Sequence, residues 1–234
     1  MVVHAVVVAA GKGERMGAAL PKPFLPLAGV PLFVHTLRSL TRSTLLQKIV
    51  LVIAAEYEPL CRQLLEQHGP LRLPMLLVHG GQERQDSVRL GLAALDPDCD
   101  IVVIHDAARP FIEAEIIDAS IKSAAEHGGA LVAVPARDTI KRVNPQGGVV
   151  ETVPRHDLWL AQTPQTFRVA LIREAHARAH TQGITVTDDV ALLEWAGGTV
   201  AIVPGDGRNF KLTTPEDVAL AEALLKMGTA RLHP

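Results

Sequence analysis

Five short runs of Val, Ile and Leu recur along the first 135 residues, and they constrain the fold more strongly than any other feature of the sequence. The runs are VVHAVVVAA, KIVLVIA, MLLVHGG, DIVVIHDAARP and GALVAVP. They lack the alternation of apolar and polar residues that marks a strand with one exposed face. Such runs are typical of strands buried on both faces, as in a parallel sheet. The sequence therefore predicts an internal, mostly parallel sheet.

Helical patterns separate these runs. Apolar residues at helical spacing follow Pro31, a favourable first helical residue, and a second set follows Ser87. The two sets are Phe33, Leu37 and Leu40, and Val88, Leu92 and Leu95. Alternating strands and helices with right-handed crossovers predict a three-layer α/β sandwich, whose ligand site lies at the carboxyl ends of the strands. A length of 234 residues with 48% hydrophobic residues is enough for one main domain.

The alternation stops after Pro135. Residues 136–156, ARDTIKRVNPQGGVVETVPRH, contain two alternating segments on either side of a turn-rich centre, which predicts a protruding β-hairpin arm. A two-stranded ribbon is marginally stable alone, so we expect it to pack on a partner subunit in a homodimer. Further along, Thr214, Pro215 and Asp217 predict a helix with a capping box.

Charge and cysteine content exclude several classes of protein. A formal net charge of -2 and no basic stripe argue against a general nucleic-acid binder. Cys61 and Cys99 lack the spacing of a metal site and are expected to be small buried residues, which fits a reducing compartment. The sequence shows no signal-peptide pattern and no apolar run near the roughly 18 residues that span a membrane. We therefore expect a soluble, cytoplasmic protein without a membrane partner.

The first run ends in a glycine loop, VVVAAGKGERMGAALPKPFL. Glycines there leave backbone N–H groups uncovered, which favours close approach to a phosphate. A P-loop is excluded because Glu14 and Arg15 follow Gly13, where Lys and Ser or Thr are needed. The dinucleotide fingerprint also fits poorly, since Met16 occupies the place of its third glycine. Arg15 and Lys22 around this loop predict a polyphosphate site, although solvated surface cations remain the alternative.

Two further motifs follow buried strands. GGQERQDSV places Gly80, Gly81 and Ser87 between a strand and a helix start, where either an anion site or a simple capped turn fits. HDAARP places Asp106 where it could ligate Mg²⁺, which prefers one or two carboxylates plus phosphate oxygens. An internal salt bridge with Arg109 is the alternative. His105 at a strand end is more typical of a structural residue than of a general base.

Four later segments, RDTIKR, VPRHDLWLAQTPQTF, TVTDDVALLE and NFKLTTPED, each read as surface turns when taken alone. Together with the earlier motifs, however, the chain resembles the cytidylyltransferases of the non-mevalonate isoprenoid pathway, which join 2-C-methyl-D-erythritol 4-phosphate to CTP. The motifs that carry this resemblance appear in the family's order from about residue 6 to residue 225: AAGKGERMG, PKPFL, GGQERQDSV, HDAARP, RDTIKR, LWLAQTPQTF, TDD and KLTTPED.

The resemblance implies one Rossmann-like nucleotidyltransferase domain over residues 1–234, dimerisation through the arm, and Mg²⁺ at Asp106. It implies that Arg15 and Lys22 are catalytic. The implied nucleotide-binding residues are Ala9, Ala10, Gly11, Gly13, Gly80, Gly81, Ser87 and Asp106. The implied residues for methylerythritol phosphate are Arg109, Thr139, Arg155, Thr187 and Lys211, with Thr139 and Arg155 supplied by the partner's arm.

Two residues depart from the family pattern. Gln82 stands where the family often has Asp, and Pro23 replaces a commonly polar residue.

Three other functions are compatible with parts of this sequence. A cytidylyltransferase for ribitol 5-phosphate or another polyol phosphate would share most motifs. A nicotinamide-dependent oxidoreductase is disfavoured because the third glycine and the ribose-binding acid are missing. A non-catalytic nucleotide-binding module would need fewer basic residues.

Overall fold

The computed structural model describes residues 1–11 and 20–228. Eleven strands lie in this part of the chain: β1 (Val3–Val8), β2 (Pro26–Leu27), β3 (Val30–Pro31), β4 (Lys48–Ile53), β5 (Met75–His79), β6 (Ile101–Asp106), β7 (Gly129–Pro135), β8 (Ile140–Val143), β9 (Val149–Val153), β10 (Trp159–Arg168) and β11 (Ala201–Pro204). The α-helices described are α1 (Leu32–Leu40), α2 (Glu58–Gln67), α3 (Arg84–Ala93), α4 (Ala114–His127), α5 (Val169–Gln182), α6 (Asp189–Trp195) and α7 (Pro215–Lys226). None of the helices in the described ranges is long and apolar enough to cross a membrane.

Seven strands form one sheet in the order β11-β7-β10-β6-β1-β4-β5. Within it β10 runs antiparallel to β6 and β7, and the other neighbours pair in parallel. The five apolar runs of the sequence are β1, β4, β5, β6 and β7. The predicted mostly parallel sheet is therefore confirmed, but the expected burial on both faces is wrong for β5, an edge strand in which Leu76 is 40% exposed.

Helices cover both faces of the sheet, as the three-layer prediction requires. Successive residues of a strand point to opposite faces, and β1 shows this clearly. Val3, Ala5 and Val7 pack in a core with residues of α1, α2 and α4, which includes the buried thiol of Cys61. Val6 packs in a second core with residues of α3, α5 and α6, which includes Cys99 near its edge.

The arm and the last helix also match their predictions. Strands β8 and β9 pair antiparallel, with Ile140 opposite Val153. At the start of α7, the hydroxyl of Thr214 accepts a hydrogen bond from the N–H of Asp217, whose carboxylate accepts one from the N–H of Thr214. The start of α1 differs slightly from the prediction. The helix begins at Leu32, and Pro31, the expected first helical residue, immediately precedes it.

The interpretation of VPRHDLWLAQTPQTF as surface was wrong for its second part. Residues 159–167 lie in β10, inside the sheet, and residues 162–167 are buried. Distant elements supply hydrogen-bond partners for the buried polar side chains. The amide oxygen of Gln165 accepts from the N–H groups of Asp189 and Val190 at 3.0 and 3.2 Å, and Ser120 bonds Thr166 at 2.8 Å. Because satisfied polar groups can be buried at modest cost, a polar segment can serve as a central strand.

Candidate active site

The candidate active site lies where the chain reverses direction across the sheet. After β1 the chain builds β4 and β5 on one side, and it then crosses to β6 on the other side of β1. In open α/β sheets, ligands bind at the carboxyl ends of the strands at such a switch point. Ala9 to Gly11 follow β1, and Asp106 ends β6 with Val8 as its register partner. The sequence motifs therefore meet at the edge expected for a ligand.

The second glycine motif packs directly against the loop that follows β1. A Cβ atom on Gly80 would lie 2.5 Å from Cβ of Ala10 and 2.7 Å from Oγ of Ser87, so a larger residue would clash. The Ser87 hydroxyl accepts a hydrogen bond from the N–H of Gly81 at 3.2 Å. Helix α3 begins at Arg84, before Ser87, and Glu83 at its N-cap makes no side-chain capping bond. Ser87 therefore closes the glycine turn rather than capping the helix.

Asp106 is the charged centre of this edge. Its side chain is 11% exposed, and two cations from distant parts of the chain hold it. Arg84 Nε lies 3.3 Å from Oδ1, and Lys211 Nζ lies 2.8 Å from Oδ2. Burial alone would raise the pKa of Asp106, but these cations and Arg109 outweigh it and hold the pKa well below its usual range. Asp106 is therefore an ionised carboxylate.

Arg84 was not singled out by the sequence analysis, although it lies inside the GGQERQDSV motif. Its Nη1 atom lies 2.8 Å from Oδ2 of Asp189, which is buried at the start of α6. Burial lowers the pKa of the Arg84 guanidinium, yet Asp189 and Asp106 outweigh burial and raise it above its usual range. A sequence motif can indicate an arginine, but it does not show which two carboxylates the fold will bring to it.

His105 has the structural role that its position at a strand end indicates. The imidazole is fully buried; Nε2 donates to the carbonyl oxygen of Arg109 at 3.0 Å, and Nδ1 lies 3.0 Å from the hydroxyl of Thr163. Burial lowers the pKa of His105 to about 4. Both ring nitrogens are engaged within the protein, so His105 holds the turn after β6.

Buried histidines should make the stability of the fold depend on pH. Burial lowers the pKa of His4, His35 and His105. The unfolded chain takes up these protons near pH 6.5, so it binds more protons than the folded chain just below that pH. The stabilisation is fully present above pH 6.5, and we expect the free energy of unfolding, measured with urea, to fall from pH 7 to pH 5.

A matched variant tests this assignment. His35→Gln keeps a donor for the carbonyl oxygen of Leu27, which His35 Nε2 contacts at 2.8 Å, but it cannot take up the proton. Its unfolding free energy should depend less steeply on pH than that of the wild type. Identical pH slopes for the two chains would show that His35 does not contribute.

A second segment runs alongside the turn after β6 and brings Lys211 to the site. The N–H of Leu212 donates to the carbonyl of Ala108 at 2.9 Å, and Nη1 of Arg109 donates to the carbonyl of Asn209 at 2.7 Å. A cavity of about 460 Å³ opens beside Arg109 and Lys211. Residues 137, 138 and 140, at the base of the arm, line the same cavity.

The other sequence-predicted residues do not all lie beside Asp106. Gly13 and Arg15 lie outside the described residues. Lys22 starts a short 3-10 turn and is 8% exposed; it lines a small crevice together with Leu212, the neighbour of Lys211. The remaining three are exposed: Thr139 and Arg155 lie at the base of the arm, where Arg155 donates to the carbonyl of Arg137, and Thr187 lies between α5 and α6.

The donor set at this edge suits Mg²⁺ only if a substrate completes it. The described residues contain no cluster of three or more His, Cys, Asp or Glu side chains that could hold a metal ion by themselves. Asp106 supplies one ionised carboxylate, and Mg²⁺ commonly binds one or two carboxylates together with phosphate oxygens. The Oδ2 atom of Asp106 faces Lys211, whose side chain is 40% exposed. The residues therefore fit a Mg²⁺ ion only if it arrives with a nucleotide and takes the place beside Oδ2 that Lys211 occupies here.

Residues 9–11, the glycine turn at 80–81 and an ionised carboxylate with two paired cations meet at the switch point, which is the arrangement expected of a nucleotidyltransferase. The family model IspD, 2-C-methyl-D-erythritol 4-phosphate cytidylyltransferase, matches residues 3–227. The chain belongs to this family.

Individual relatives agree with the family match. The chain is 44% identical over 230 residues to the 2-C-methyl-D-erythritol 4-phosphate cytidylyltransferase of Pelotomaculum thermopropionicum, covering 98% of this chain and 97% of the relative. The crystal structure of 4-diphosphocytidyl-2C-methyl-D-erythritol synthase from Anaerococcus prevotii matches with a TM-score of 0.85 and 30% identity, covering 96% of each chain. The corresponding cytidylyltransferase from Thermus thermophilus matches with a TM-score of 0.79 and 33% identity, covering 97% of this chain and 100% of that one. The nucleotidyltransferase interpretation of the sequence is confirmed.

Proposed function

We propose that this protein transfers CMP from CTP to 2-C-methyl-D-erythritol 4-phosphate and releases pyrophosphate, as a step in the synthesis of isoprenoid precursors. The observation that carries the proposal is the convergence at one sheet edge of residues 9–11, the glycine turn at residues 80–81, and Asp106 with its two cations. The family match supplies the substrates.

The reaction needs alignment and positive charge more than it needs a base. A phosphate monoester has a second pKa of about 6, so its oxygen is already largely deprotonated at neutral pH. That oxygen attacks the α-phosphorus of CTP, the bond from this phosphorus to the bridging oxygen breaks, and pyrophosphate leaves. Two anions must approach each other, and negative charge accumulates on the phosphoryl oxygens. We assign Arg15 and Lys22 to that charge.

The remaining residues divide between the two substrates. Backbone groups of residues 9–11, Gly13 and the glycine turn at 80–81 would surround the nucleotide, and Ser87 would keep that turn in shape. Asp106 would hold Mg²⁺, which when bound neutralises charge on the phosphate oxygens. Arg109, Lys211 and Thr187 would hold methylerythritol phosphate from one subunit, with Thr139 and Arg155 from the partner. The cavity of about 460 Å³ beside Arg109 and Lys211 supports the assignment of those two residues to methylerythritol phosphate.

The arm supports the proposal of a homodimer. Val143, Val149 and Val150 are each more than half exposed on this ribbon, which is unusual for apolar side chains that stay in water. We expect a variant that lacks residues 139–152 to sediment as a monomer and the full chain as a dimer. A dimeric variant would show that the subunits associate through another surface.

The function is tested by measuring pyrophosphate release with Mg²⁺. CTP, UTP, ATP and GTP are each paired with methylerythritol phosphate and with ribitol 5-phosphate. We expect turnover with CTP and methylerythritol phosphate. Turnover with ribitol 5-phosphate alone would assign another polyol phosphate, and CTP binding without turnover on any pair would favour a non-catalytic module.

A further inference from the structure

We propose that Arg84 and Gln85, the first two residues of α3, are positioning residues that tie Asp106 to the α5–α6 loop, residues 183–188, which carries Thr187. The inference rests on the proposed function, because it concerns what fixes the position of Asp106, on the nucleotide side of the site, relative to Thr187, on the methylerythritol phosphate side.

Arg84 connects two carboxylates that belong to different elements. Its Nε atom contacts Asp106 at the end of β6, and its Nη1 atom contacts Asp189 at the start of α6. The Asp189 side chain is 2% exposed, so its charge has little access to solvent and depends on protein partners. A guanidinium is planar and presents its donors at fixed angles, so one Arg84 side chain sets the relative position of both carboxylates.

Gln85 holds the loop itself. Its Nε2 atom donates to the carbonyl of Ile184 at 2.9 Å, and its Oε1 atom accepts from the N–H of Val186 at 3.1 Å. Thr187 is the next residue, and it is exposed. On the other side of Thr187, the side chain of Gln165 donates to Asp188 Oδ2 at 2.8 Å. The backbone before Thr187 and the side chain of Asp188 after it are therefore both held by hydrogen bonds, while the Thr187 side chain is exposed.

The same helix turn thus contacts both halves of the site. Arg84 orients Asp106 through Oδ1, while Oδ2 faces the more exposed Lys211. Replacing a residue that orients a metal-binding carboxylate typically costs about 10- to 100-fold in metal affinity or activity. We expect Arg84 to act in this way on Asp106, and Gln85 to act only on the loop.

The test compares Arg84→Gln and Gln85→Ala with Arg173→Gln. Arg173 is a matched control because it donates to the carbonyl oxygen of Leu92 at the opposite end of α3 and to that of Leu95 just beyond the helix. We expect Arg84→Gln to lower kcat/KM for both substrates by about 10- to 100-fold. Gln85→Ala should raise the KM for methylerythritol phosphate and leave the KM for CTP unchanged. Arg173→Gln should lower the Tm but leave both kinetic constants unchanged.

Arg84→Lys separates geometry from charge. Lysine keeps the positive charge but cannot present two donors at fixed angles to two carboxylates. We expect it to recover less than half of the activity lost in Arg84→Gln. Full recovery would show that charge alone suffices, and kinetic changes in Arg84→Gln no larger than those in Arg173→Gln would show a general stability effect; either result overturns the proposal.

A measurement that does not depend on turnover keeps this inference separate from the proposed function. Amide hydrogen exchange at residues 184–189 should be faster in Arg84→Gln and Gln85→Ala than in the wild type, and unchanged in Arg173→Gln. If the wild type released no pyrophosphate, the proposed function would fail. The exchange data would still show whether Arg84 and Gln85 hold the α5–α6 loop. Unchanged exchange in both variants would overturn the coupling even in an active enzyme.

Discussion

Asp106→Asn is expected to lower kcat/KM for CTP by more than the roughly 10- to 100-fold that loss of an outer-shell partner costs. Asparagine keeps the shape of the side chain but carries no charge. Arg84 would then share its charge with Asp189 alone, and Lys211 would lose the carboxylate oxygen that lies 2.8 Å from its Nζ atom. Under the proposed function, Mg²⁺ would also lose its protein ligand, so the concentration of Mg²⁺ needed for half-maximal rate should rise.

The appropriate control for Asp106→Asn is Asp96→Asn. Asp96 also pairs with a lysine, since Lys48 Nζ lies 2.5 Å from its Oδ1 atom, but Lys48 begins β4 at the opposite edge of the sheet. We expect Asp96→Asn to keep the kinetic constants and the Mg²⁺ dependence of the wild type. If Asp106→Asn kept the Mg²⁺ dependence of the wild type, Asp106 would not be the metal ligand, even if the variant were less stable.

Arg15→Ala and Lys22→Ala are each expected to lower kcat by about 100-fold or more, as the loss of one donor to transition-state charge does elsewhere. The effect should fall on kcat because the charge on the phosphoryl oxygens builds up during transfer, after both substrates are bound. Steady-state pyrophosphate release, with both substrates saturating, measures it. Near-normal kcat values in both variants would remove these residues from the mechanism.

Lys22→Ala requires a separate stability measurement. Lys22 is 8% exposed and lines a crevice with Leu212, so its removal also takes away packing. Comparing unfolding in urea with kcat separates the two effects. Lys48→Ala provides a control cation, because Lys48 pairs with Asp96 far from the switch point.

The sequence by itself determined the layers of the fold. Uninterrupted Val, Ile and Leu runs favour strands buried on both faces, as in β1, β4 and β6, and helical spacing between the runs places helices on the sheet. The turn residues at 144–148 between two alternating segments predicted the arm, and the capping box at Thr214 predicted the start of α7. These features depend on residues close together in the chain, which is why they could be predicted from local pattern.

Tertiary structure alone decided the centre of the sheet and the electrostatics of the site. Strand β10 looked like surface because Gln162, Thr163 and Gln165 are polar; their partners come from residues more than 20 positions away. The motifs indicated Asp106 and Lys211 separately, yet their contact, and the link from Arg84 to Asp189, required the switch point to bring four chain segments together. A motif specifies which side chains are present, whereas their mutual charge and distance depend on how the whole sheet is ordered.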